Sequence, residues 1–278
     1  MDRNLTGHDY AKSGIDMACW DILGQKCGVP VTTLLGGRFG ENFGLYHPVG
    51  QDTPEAMTTR VDGYRSAGYT AFQLKVGGEP LEDIARIRAV AAGLTAGEKL
   101  IADANRGWLP HEALQVLDAI ADLPVFIEQP CASYRECLSV RRRCSKPFIL
   151  DESIQSAADI LRAAADDAAD IINLKIAKLG GITKTARARD LCVSLGIPVF
   201  IDNAKGSQIV GAALAHLAHS TPQEFLFATT DFGSYMEEQI AAGCPVRKDG
   251  RLASSVAPGL GIKPDLALLG DSVFEQTL

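Results

Sequence analysis

Apolar and polar positions along this chain alternate between two periods. Short runs rich in β-branched, aromatic and leucine side chains predict strands near 44–49, 71–75, 99–103, 125–128, 148–151, 171–175, 198–202 and 225–229. Between them, apolar residues recur at helical spacing near 54–67, 80–93, 110–121, 133–144, 155–167, 182–195 and 207–218. Pro54, Pro80 and Pro110 stand where a first helical turn tolerates proline, and Gly68 and Gly196 break helices before the next strand. Ahead of this series, Ile15, Ala18, Cys19 and Ile22 give residues 11–26 one apolar helical face, which Gly28 and Pro30 end. A turn at Gly36-Gly37 follows. After Asp231 the periodicity fades, and Pro258-Gly259-Leu260-Gly261 marks an irregular tail.

Eight strands separated by seven helices predict an α/β fold, a (β/α)8 TIM-type barrel of parallel strands, which takes about 250 residues as one unit. An open doubly wound sheet is the alternative, but its nucleotide-binding version needs GxGxxG after the first strand, and none is present.

Five of the predicted strands close on a charged residue: Lys75, Asp103, Glu128, Asp151 and Lys175, at intervals of 28, 25, 23 and 24 residues. A parallel barrel brings these ends to one edge, the edge that carries function. Three carboxylates meeting there repel one another unless a hard divalent cation sits between them. Taken singly, each acid could be a helix cap or a solvated loop residue, and each lysine could snorkel from a strand end. Three acids on consecutive strands, flanked by lysines, favour a metal site with two bases. Lys178 is open between a supporting cation and a loop charge, and Gly180-Gly181 reads as a turn rather than a phosphate cradle. Tyr46 and His47, taken as the end of the first strand, and Asp202, Asn203 and Asp231 at the seventh and eighth, are candidates for the distal part of a substrate. An acid there suits an ammonium group, and the Tyr46 ring suits a cation. His216 and His219 lie three apart on a predicted outer helix, where packing is expected rather than metal binding.

Composition narrows the setting. Hydrophobic residues make up 46% and charged residues 22%, enough for a sizeable core. The net charge of −7 argues against nucleic acid as a partner, and Arg141-Arg142-Arg143 reads as a solvated helix face. Seven cysteines without a CxxC pair suggest neither a disulfide framework nor structural zinc, and a reducing cytoplasm is expected. No apolar stretch reaches the roughly 18 residues of a membrane span, and the first residues lack a signal core.

These stretches resemble the enolase superfamily, in its mandelate racemase/muconate lactonizing enzyme family and the muconate lactonizing enzyme subgroup. The resemblance rests on Ala11 to Asp21, Gln73-Leu74-Lys75-Val76-Gly77, Asp103-Ala104-Asn105, Glu128-Gln129-Pro130, Asp151-Glu152-Ser153 and Asn173 to Gly181, in unbroken order. It implies a magnesium ion (Mg2+) held by Asp103, Glu128 and Asp151, bases at Lys75 and Lys175, and a small-molecule carboxylate substrate on the metal. Gln73 and Asn105 join the expected substrate contacts. Residues 1–43 are then a linker helix with a remnant of a capping region, 44–232 the barrel and 233–278 a C-terminal segment.

A carbon acid beside a carboxylate loses its proton with difficulty, because an enediolate with two charged oxygens results. Mg2+ stabilises that charge as a Lewis acid while a lysine takes the proton. Lysine, with an ordinary pKa of about 10.4, acts as a base only where a nearby cation or burial lowers it. Most of the subgroup carries Lys-x-Lys on the second strand, whereas this chain has Gln73-Leu74-Lys75, one positive charge fewer. Relatives also begin with a capping domain on the order of a hundred residues, most of which is expected to be missing here.

Two bases on opposite faces suit racemisation or epimerisation, and the same pair can expel a β-hydroxyl as a dehydratase. An amino acid or a cyclic imino acid of the proline or hydroxyproline kind is the expected substrate, with Asp202 and Asp231 toward its ammonium. A muconate-type cycloisomerase is the alternative within the family. Outside it stand a Schiff-base aldolase using the sixth-strand lysine and a truncated chain with little activity. A homo-oligomer is compatible with any of these.

Overall fold

The computed structural model describes residues 1–203, 206–230, 236 and 238–271. Helix α1 (Asp9–Cys27) and the single turn α2 (Val31–Leu34) precede a short strand, β1 (Phe43–Gly44). The barrel strands are β2 (Tyr46–Val49), β3 (Ala71–Lys75), β4 (Lys99–Asp103), β5 (Val125–Glu128), β6 (Phe148–Leu150), β7 (Ile171–Lys175), β8 (Val199–Asp202) and β9 (Leu226–Thr229). They pair in parallel in sequential order, β2 through β9. Helices α3 (Pro54–Ser66), α4 (Pro80–Ala91), α5 (Pro110–Ala119), α6 (Tyr134–Arg141) and α7 (Ala157–Ala165) fill the first five crossovers. A one-turn helix, α8 (Ile176–Leu179), then precedes α9 (Ile182–Ser194), and α10 (Gln208–His219) leads into β9.

Contacts across the interior show that the sheet curls on itself into a nearly closed barrel. Lys99 on β4 donates to the Phe227 carbonyl on β9 at 2.8 Å, and the Phe126 and Phe227 rings meet at 4.8 Å. Tyr46 on β2 lies edge-on to Phe200 on β8 at 5.3 Å. Strands that are distant in the hydrogen-bonded order touch only if the sheet closes.

Local chemistry explains the helix starts. Proline opens α3, α4 and α5, and Thr53, Ser133 and Ser156 each accept a backbone N–H of the first turn. Ser133 and Glu136 complete a reciprocal capping pair.

The structure differs from the sequence reading in three places. The predicted strand 44–49 divides at Leu45, whose N–H donates to the Gly250 carbonyl, and β1 pairs antiparallel with β11 (Arg251–Leu252). Tyr46 therefore opens the first barrel strand instead of ending it, and His47 faces outward, stacked on Tyr64 with ring centroids 3.5 Å apart. The tail is also less irregular than expected. Besides β11 it holds β10 (Ala241–Ala242), paired with β12 (Lys263–Pro264), and the turn α11 (Leu266–Leu269).

Both flanking stretches are fastened to the barrel layer. Asp16 accepts the Thr183 N–H and hydroxyl at the start of α9, and Trp20 donates to the Thr183 hydroxyl. Asp21 accepts the Leu260 N–H. His216 and His219 are buried packing residues, as expected: His216 lies against Thr32 and the Leu260 carbonyl, and His219 against Ser254 and the Gly40 carbonyl.

Candidate active site

Side chains alternate along a strand, so residues two apart share the barrel interior. Ile101 and Asp103, Phe126 and Glu128, Ile149 and Asp151, Phe200 and Asp202 follow this rule, an apolar residue below and an acid above. Parallel register brings Lys75 beside Asp103, Asp103 beside Glu128, and Lys175 beside Asp202. Asp103, Glu128, Asp151 and Asp202 are all buried, none more than 2% exposed.

Each carboxyl group meets a donor. Lys75 Nζ lies 2.5 Å from Asp103 Oδ2. Lys175 pairs with Asp151 Oδ2, while Lys178 Nζ reaches Asp151 Oδ1 at 2.7 Å and the Asp151 carbonyl at 2.5 Å. Glu128 is gripped by two amides, Gln73 Nε2 on Oε2 and Asn173 Nδ2 on Oε1, both at 2.7 Å. Asn173 is the residue to which the sequence reading gave no role, and Lys178, left open there, takes the part of a supporting cation. The spacing carries that part: three residues past Lys175, a helical turn puts Lys178 on the same face.

The other expected contacts are dispersed. Asn105 has a left-handed backbone (φ +43°), its N–H donates to Asp103 Oδ1, and its amide reaches Glu152 at 3.3 Å. Asn203 Oδ1 accepts the Ala177 N–H of α8, and its own N–H donates to Asp202. Tyr46 is 1% exposed and packs within the barrel below the acids, not at a strand end facing the mouth. Asp231 lies outside the described residues. Gly180 ends α8 at φ +93°, and a Cβ on Gly181 would fall 2.3 Å from Asp16 Oδ2, so the pair serves a turn pressed against α1.

Charge and burial act together here. Burial, then the charges of Asp103 and Asp151, push the Glu128 carboxyl well above the carboxylate range. Burial likewise raises Asp202. Burial pushes Asp151 the same way, but Lys178 and Lys175 outweigh it and hold Asp151 below its ordinary value. Burial pulls both strand-end lysines down, yet their acid neighbours more than reverse it. Lys75 is raised chiefly by Asp103 and Glu128, and Lys175 by Asp151 and Asp202. The expected lowering of the lysines is absent because the carboxylates each one faces outweigh its burial.

Whether these residues suit Mg2+ follows from their chemistry. Asp103, Glu128 and Asp151 offer only hard oxygen donors, from ends of neighbouring strands, and after burial their mutual repulsion is what raises Glu128. Their oxygens are turned toward ammonium and amide groups, and among the described residues no three such side chains close to metal-ligand spacing. The donor set therefore fits a hard divalent ion, with side-chain rotation needed to gather it. Beside the rim, His8, Asp9, Tyr10, Arg106, Glu152, Gln155 and Lys178 line a cavity of about 370 Å³.

A parallel barrel with acids and lysines on its C-terminal edge defines a class, and sequence comparison agrees with it. The sequence model of the enolase C-terminal domain-like family matches residues 56–268, and that of the mandelate racemase/muconate lactonizing enzyme N-terminal domain matches residues 1–36. The chain belongs to the mandelate racemase/muconate lactonizing enzyme family of the enolase superfamily. It is similar to the cis-3-hydroxy-L-proline dehydratase of Roseibium aggregatum, 50% identical over 273 residues, which cover 98% of this chain and 74% of the relative. Other relatives are racemases, epimerases and muconate cycloisomerases. A solved mandelate racemase/muconate lactonizing enzyme from Roseovarius nubinhibens ISM superposes with a TM-score of 0.96 at 42% identity, covering all of this chain and 74% of that one. A second from the same organism, complexed with magnesium, gives 0.94 at 36% identity, covering 98% and 77%. Among the described residues no helix is long and apolar enough to cross a membrane.

Proposed function

We propose that this chain abstracts the proton α to the carboxylate of a small cyclic imino acid and expels a β-hydroxyl, as a dehydratase acting on a hydroxyproline-like substrate. The observation that carries this reading is the rim itself: two strand-end lysines, on β3 and β7, flank three carboxylates on β4, β5 and the end of β6. Similarity to the cis-3-hydroxy-L-proline dehydratase supports the substrate class.

Asp103, Glu128 and Asp151 would hold Mg2+, which supplies Lewis-acid stabilisation of the developing enediolate. Lys75 and Lys175 stand on opposite sides of the acids. One takes the α-proton, and its conjugate acid or the facing ammonium group returns a proton to the departing hydroxyl. Lys178 anchors Asp151 through its carboxylate and its backbone carbonyl and keeps that carboxylate charged. Gln73 and Asn173 fix both oxygens of Glu128, the place where a second strand lysine would otherwise add charge. Asp202 lies beside Lys175 and would face the substrate ammonium. Racemisation or epimerisation uses the same two faces without loss of the hydroxyl, so the test must separate them.

The test is incubation with Mg2+ in D2O against cis- and trans-hydroxyprolines and proline, followed by NMR. Loss of the β-hydroxyl from one hydroxyproline is expected. Deuteration of proline without elimination would assign racemase chemistry instead, and no α-exchange in any substrate would remove the reading. Asp151→Asn, which leaves the cation one negative charge short, is expected to weaken Mg2+ binding sharply by calorimetry. Unchanged affinity would exclude Asp151 as a ligand.

A further inference from the structure

Gln129 follows Glu128 directly and is wholly buried, yet its backbone is left-handed at φ +35°. A non-glycine residue holds that conformation at a cost, and the surroundings must compensate. They do so through hydrogen bonds that use both ends of the side chain. Oε1 accepts the N–H of Asp151 at 3.0 Å and that of Ser153 at 3.2 Å. Nε2 donates to Ser153 Oγ at 2.7 Å and to the Cys131 carbonyl at 3.2 Å, with Cys137 Sγ at 3.5 Å. Its main chain is engaged as well: the carbonyl accepts the Arg106 N–H at 2.9 Å, and the N–H donates to the Ile149 carbonyl at 3.0 Å.

These bonds reach three separate segments. Arg106 belongs to the loop that follows Asp103 at the end of β4, Glu128 is the preceding residue, and Asp151 and Ser153 lie in the loop beyond β6. The side-chain amide holds the backbone of Asp151 directly, while the main chain of the same residue continues Glu128 and bonds Arg106, three residues past Asp103. The amide orientation is fixed, because a flip would set its NH2 against two backbone N–H groups.

We infer that Gln129 is a positioning residue for the cation site, setting Asp151 in place against Glu128 and Asp103 and hence the affinity for Mg2+. The inference rests on the reading of those three acids as the Mg2+ ligands. A partner outside the ligand set that orients ligands is worth about tenfold to a hundredfold in metal affinity. Lys178 fixes Asp151 by charge, and Gln129 fixes it by geometry, so the two contributions are separable.

Gln129→Asn tests this. It keeps the amide but draws it back by about 1.5 Å, too far to hold both N–H groups of the β6 loop. Mg2+ alone is titrated by calorimetry into wild type and variant, with far-UV circular dichroism and the melting temperature of the metal-free proteins taken alongside. The expected result is native dichroism with a Kd for Mg2+ raised about tenfold or more. A purely structural role would lower the melting temperature and leave the Kd of the folded protein unchanged, and that result overturns the inference. Should Gln129→Asn lose native dichroism, Ser153→Ala, which removes only the hydroxyl on Nε2, is read by the same criterion. Absence of Mg2+ binding in the wild type would instead overturn the metal reading beneath it.

Discussion

The floor and the rim of the barrel are built from the same strands, two residues apart, and share almost no chemistry. Below, Tyr46, Ala71, Ile101, Ile149, Ile171, Phe200 and Ala228 pack as an apolar cluster with Phe126 and Phe227. Above, Lys75, Asp103, Glu128, Asp151, Lys175 and Asp202 form a layer in which every acid meets a donor. Layering along each strand gives apolar packing to one set of positions and the proposed chemistry to the next, so each set can be perturbed separately.

The largest expected effect is on the rim. Lys175→Ala should reduce α-proton exchange about 10²- to 10⁴-fold for substrates deprotonated from its face. NMR in D2O with each enantiomer checks this, and equal rates in variant and wild type for both would remove Lys175 as a base. Its melting temperature should stay near wild type.

Phe200→Ala tests the floor. The ring is fully buried between Tyr46 and Phe227, so truncation should cost about 3–5 kcal/mol in chemical denaturation. Mg2+ affinity of the folded variant should be retained. A large loss of affinity would show that the two layers are not independent.

A smaller effect separates the rim from the layer outside the barrel. Burial holds His216 down at about 4, from an ordinary 6.5, the Leu260 carbonyl pulling the other way. Because the folded pKa is the lower one, the stability is present above pH 6.5 and is lost as pH falls toward 4. The change amounts to about 3 kcal/mol. Asp151, also held below its ordinary value, contributes in a lower window, lost as pH falls below 3.8. Denaturation at a series of pH values should therefore show a loss between 6.5 and 4 that His216→Asn reduces, His47 and His219, also held down by burial, supplying the remainder. A variant with the wild-type slope in that window would place the acid sensitivity elsewhere.

Most of this division is legible in the sequence. All eight barrel strands are found to within a residue or two, because each apolar run is closed by a polar residue or a turn. Asp103, Glu128, Asp151, Lys75 and Lys175 follow from that punctuation alone. What sequence hides is the pairing. That the Gln73 and Asn173 amides grip Glu128 depends on strands 55 and 45 residues away. The break at Leu45 depends on the Gly250 carbonyl far down the chain. Tyr46 was misplaced for the same reason, since a strand divided by a distant partner looks continuous. Gln129 sits in a recognisable triplet, but nothing local reveals that its side chain reaches the next strand's loop.

The alternation of Ile101 with Asp103 and of Phe200 with Asp202 also bears on how the chain finds its fold. A slip of one residue in strand pairing exchanges the inner and outer faces. It would turn these carboxylates into the apolar layer under the helices, where an unpaired charge costs several kcal/mol. A wholly apolar strand would pass such a slip almost unpunished. The strand-end carboxylates thus act as proofreaders of strand register, and replacing them all with leucine should yield a barrel that is greasier and less certain of its own alignment.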